Sequence, residues 1–93
     1  MTPHEEIRNG EDARNLLESP IFRNAMDAVK SGLIGSMGAS ALGDTQTHNR
    51  LVIALQLLNQ IEREIKRHVE TGTIAQIQVN DNLGRKLKLA TGF

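Results

Sequence analysis

Apolar residues recur at helical spacing through the middle of this chain and change to an alternating rhythm towards its end. From Pro20 to about Leu42, Phe22, Met26, Val29, Leu33 and Met37 are separated by four, three, four and four positions, which builds one stripe on an α-helix. Ser19 is suited to capping that helix, and Pro20 to its first position. A second stripe of small residues runs alongside: Ala25, Ala28, Gly32, Gly35 and Ala39. Gly32, Gly35 and Gly38 each cost a helix about 1 kcal/mol relative to alanine. Either another helix approaches this face closely, or the helix breaks near Gly35–Gly38.

Gly43-Asp44-Thr45 reads as a turn, with Asp44 or Thr45 capping a further helix that runs to about Thr71 and closes at Gly72. Leu51, Ala54, Leu55, Leu58, Ile61, Ile65 and Val69 form its apolar face, while Val52, Ile53 and Leu57 lie off it. The first half is thus apolar nearly all round, and a chain of 93 residues has little else to cover it. A second copy is the economical cover. The candidate oligomer interface is Phe22, Met26, Val29, Gly32, Leu33, Leu51, Val52, Ile53, Leu55, Leu57, Leu58, Ile61 and Ile65.

The two ends read differently. Residues 1–10 look like a flexible leader, and Glu11–Glu18 a short helix with acids at its positive end. Beyond Gly72, Ala75, Ile77 and Val79 alternate with Gln76, Gln78 and Asn80, which is strand rhythm. Turn residues at 80–84 and a second alternation over Arg85–Leu89 complete a β-hairpin, the rivals being a continued helix or a disordered tail. The expected fold is mainly α: an antiparallel helical hairpin with a short N-terminal helix and a small C-terminal β-hairpin, assembled into a ring. Its parts are a leader over 1–10, a helical oligomerisation domain over 11–72, and the hairpin over 73–93.

Composition narrows the function. Phe22 and Phe93 are the whole aromatic inventory, so the core must come from aliphatic residues, and a lone monomer is marginal. Without cysteine there are neither disulfides nor thiolate metal sites. No apolar run reaches membrane-spanning length and residues 1–10 lack a signal-peptide core, so a soluble, cytoplasmic protein is expected. His4, His48 and His68 lack metal-site spacing, and the glycines lack the strand and lysine of a phosphate loop. No cofactor and no enzymatic activity are expected. Net charge is zero, but residues 1–45 carry seven acids against four bases and residues 46–93 the reverse, hence −3 and +3. That asymmetry suits packing between copies or a modest basic face for nucleic acid. Arg63, Lys66, Arg67, Arg85, Lys86 and Lys88 are the candidate DNA contacts; the alternative is that they only solubilise the surface.

The run Leu16-Leu17-Glu18-Ser19-Pro20-Ile21-Phe22, then Asp44-Thr45, Arg50-Leu51, Ala54-Leu55 and Val69-Glu70-Thr71-Gly72, resembles small tailed-phage packaging and head-assembly proteins, in particular the short form of the terminase small subunit. The resemblance covers about residues 12–72 and lacks the family's N-terminal DNA-binding helical domain. It implies a homo-oligomer built on Pro20–Ala41 and Asp44–Gly72 that engages double-stranded DNA and regulates the large ATPase–nuclease subunit. The alternatives are a head-assembly accessory protein or a small inhibitor of a host protein, either acting by protein–protein binding.

Overall fold

The computed structural model describes residues 1–91, with side chains to Lys88. Three helices make up nearly all of it: α1 (Pro3–Glu18), α2 (Pro20–Ala39) and α3 (Thr45–Thr91). There is no strand among the described residues. Contacts divide the chain into two units, Leu16–Glu64 and Met1–Asn15 with Ile65–Phe93.

The unit Leu16–Glu64 is the antiparallel hairpin that the periodicity predicts. Ser19 alone separates α1 from α2; it stands in an extended conformation and its Oγ accepts the Phe22 N–H at 3.4 Å. With Pro20 in the first turn, the start of α2 follows from local chemistry. The Asp44 carboxylate caps α3 by accepting from the Thr47 N–H at 3.1 Å and the Thr47 hydroxyl at 2.6 Å. Two contacts align the helices. His48 Nε2–H donates to the Met37 carbonyl at 3.2 Å, and Lys30 forms a part-buried ion pair with Glu62. Phe22, Met26, Leu33 and Met37 are half-buried, as are Leu51, Ala54, Leu55 and Leu58. No residue of this unit is fully buried, α2 included.

The other unit corrects three expectations. Residues 3–10 are the first turns of α1, so a helix stands where a leader was expected. Gly72 does not close α3, which continues without interruption to Thr91. The C-terminal β-hairpin, and with it the expected fold of a ring capped by strands, is overturned: 73–91 is helix. The reason lies in a competing period. Ala75 and Val79 alternate with polar residues, but they also follow Gly72 at helical spacings of three and four, and that face packs against α1. Gln76 and Asn80, read as strand positions, are one helical turn apart and hydrogen-bond at 3.2 Å.

The helices of this unit meet backbone to backbone. A Cβ built on Gly10 would fall 2.9 Å from the Gly72 Cα and 3.0 Å from the His68 carbonyl oxygen. One built on Gly72 would fall 2.9 Å from both the Glu6 carbonyl oxygen and the Gly10 Cα. Ala13 and Ala75, the latter only 1% exposed, extend the contact by one turn on each helix. Every fully buried residue among those described is one of these four.

Candidate functional site

The predicted interface residues divide by direction. Phe22, Met26, Leu33, Leu51, Leu55, Leu58 and Ile65 are half-buried, and those in Leu16–Glu64 form the seam of the hairpin. Val29, Gly32, Val52, Ile53, Leu57 and Ile61 are exposed, with Ile53, Leu57 and Ile61 at 54%, 55% and 50%. Ile53, Leu57 and Ile61 recur every four residues and so line one flank of α3. The glycines of α2 are open as well: a Cβ on Gly32, Gly35 or Gly38 meets nothing within 4 Å. Of the two explanations for those glycines, the helix neither breaks at Gly35–Gly38 nor carries a neighbour there.

The candidate DNA-contacting residues all lie on α3 and are all exposed. Within the second unit, Lys66, Arg67, Arg85 and Lys88 fall inside an arc of about 100° on the helix, opposite the face that meets α1. Lys86 lies off that arc, and Arg63 precedes Lys66 by three residues in the hairpin unit. Glu70 and Asp81 share the arc and dilute its positive charge. Exposed Ile74 and Ile77 lie between the two basic pairs.

Among the described residues no group of three or more His, Cys, Asp or Glu side chains could hold a metal ion. An open groove beside the Gly10–Gly72 contact is lined by Ile7, Glu11, Arg14, Val69, Thr73 and Gln76. Hydrogen bonds from the Thr47 hydroxyl and N–H, with a smaller contribution from His48, hold the Asp44 carboxyl below the ordinary value of 3.8. It is fully exposed and acts as a helix cap. No helix among the described residues is long and apolar enough to cross a membrane.

Sequence reasoning missed Gly10 and Gly72 as packing residues and Lys30–Glu62 as a cross-helix pair. The available signal was the matching order of small residues, Gly10 then Ala13 and Gly72 then Ala75, three apart in each helix. No known protein family, curated protein or solved structure matches this chain.

Proposed function

We propose that this chain is a non-catalytic, self-associating viral DNA-packaging factor that works as terminase small subunits do. On this reading it binds double-stranded DNA and regulates a large ATPase–nuclease subunit in the cytoplasm of the host cell. The observation that carries the reading is the grouping of Lys66, Arg67, Arg85 and Lys88 on the side of α3 turned away from α1. Four cations per copy, partly offset by Glu70 and Asp81, give weak contacts to phosphate. Presented by several copies at once, weak contacts add up to useful, sequence-tolerant affinity. The runs that resemble packaging proteins fall at structural positions that fit this reading: Ser19-Pro20 starts α2, Asp44 caps α3, and Leu51, Ala54 and Leu55 line the seam between them.

A fluorescence-anisotropy titration of the full chain with a labelled duplex tests this reading. The expected affinity falls steeply as salt rises from about 50 to about 200 mM. Lys66→Glu with Arg85→Glu lowers it about tenfold further at low salt, with helicity unchanged. Absence of binding at low salt rejects DNA as the ligand.

A second reading has its own observation. Ile74 and Ile77 sit between the basic pairs, 57% and 56% exposed, and suit a protein partner better than a phosphate backbone. That favours a head-assembly accessory or an inhibitor of a host protein. Its mark is binding to a protein that persists when salt abolishes DNA binding.

A further inference from the structure

The hairpin of α2 and α3 has two unlike sides. Counting 100° per residue from the half-buried seam, Ala25, Ala28 and Gly32 on α2 turn to the same side of the pair as Ile53, Leu57 and Ile61 on α3. Arg23 and Asp27, with Gln56 and Asn59, turn to the other, where Ile34 and Val52 stand exposed among them. The first side therefore sets a bulky apolar ridge beside a row of small residues. Both are solvent-exposed, and no residue of the unit is fully buried.

We propose that a second copy of this chain covers that side, related to the first by a two-fold axis passing beside Leu57. The order of residues along the ridge carries the argument. Ile53 and Ile61 lie four residues on either side of Leu57, and Arg50 and Glu64 lie seven on either side. When two α3 helices cross antiparallel at Leu57, Ile53 of each faces Ile61 of the second copy, and Leu57 faces Leu57. Arg50 of each then faces Glu64 of the second copy, so opposite charges meet at both ends of the apolar contact. A two-fold contact must be self-complementary in this way, residue i to j and j to i. A parallel crossing in register sets Arg50 against Arg50 and Glu64 against Glu64, and like charges disfavour it.

The small row on α2 fits the same axis. Gly32 lies between Lys30 and Met37, which bind Glu62 and His48, so it stands level with Leu57. The two copies of α2 then pass each other at Gly32, where nothing within 4 Å would meet even an added Cβ. The open glycines that weaken α2 as a lone helix thus allow a second copy to come close.

This inference rests on the self-association in the reading above and deepens it, without using DNA. Its test is sedimentation-equilibrium mass on the full chain, with circular dichroism as the control for folding. Wild type is expected as a dimer or an even-numbered assembly, and Leu57→Glu as a monomer of unchanged helicity. Arg50→Glu or Glu64→Arg alone weakens the dimer about tenfold, and the two together in one chain restore it to within about threefold. The double exchange guards against a Leu57→Glu chain that merely misfolds. A Leu57→Glu chain that keeps wild-type mass, or a double exchange no better than the single ones, overturns this interface and leaves self-association through another surface standing. A wild type that is monomeric at all concentrations overturns both.

Discussion

Each unit of this chain is held together internally, and the two use opposite means. Where α1 meets the later part of α3, the backbones touch at Gly10 and Gly72, and the fully buried residues are two glycines and two alanines. Where α2 meets the earlier part of α3, long aliphatic side chains interleave and none is fully buried. The first contact is short-range and depends on the absence of two Cβ atoms; the second covers more residues but leaves each half in water. The glycines make the contrast plain. Gly10 and Gly72 are required by each other, whereas Gly35 and Gly38 in the hairpin unit have open space around them. Glycine content alone therefore says nothing about packing: the same residue is a contact in one helix and a weakness in another.

Substitution by alanine should separate the two. Gly72→Ala, or Gly10→Ala, forces a methyl to within 2.9 Å of opposing backbone, which cannot swing aside as a side chain could. The expected loss is about 1–3 kcal/mol by urea denaturation. An unchanged midpoint would mean that the helices are not in contact there. Gly38→Ala should go the other way, gaining about 0.4–1 kcal/mol, because the added methyl meets no atom and removes the entropic penalty of glycine. A loss at Gly38 would show that something covers this side of α2.

The smallest effect concerns the start of α3. The carboxyl of Asp44 titrates below its ordinary 3.8 because its charged form accepts two hydrogen bonds from Thr47. A depressed carboxyl contributes stability that is fully present above the unfolded value and is lost as pH falls through the folded one. Asp44→Ala should therefore lower the melting temperature at pH 7, and the gap from wild type should narrow below about pH 4. A gap independent of pH would mean that the charge of Asp44 plays no part in the cap.

The hairpin was legible because its signals are local. Ser19-Pro20 and Asp44 mark helix starts by chemistry confined to one turn, and the spacing of Phe22, Met26, Leu33 and Met37 survives into the structure. The remainder depends on pairs far apart in sequence. Gly10 and Gly72 each looked like the end of an element, since a glycine permits a stop; that they sit inside helices is decided by each other, 62 residues apart. Likewise Ala75 and Val79 fit a strand and a helix equally until α1 supplies the surface they pack on. The basic residues on α3 were identifiable by type, but their grouping on one face required knowing that the helix runs on past Gly72.

That separation also orders the folding of the chain in time. The Met37–His48 contact closes 11 residues and Lys30–Glu62 closes 32, whereas Gly10 must wait for Gly72. Loop-closure entropy grows with the length enclosed, and local contacts form sooner than distant ones. The α2–α3 hairpin can therefore form while the chain is still being synthesised. Helix α1, made before both, can dock only once the later part of α3 has been made, because Gly10 needs Gly72.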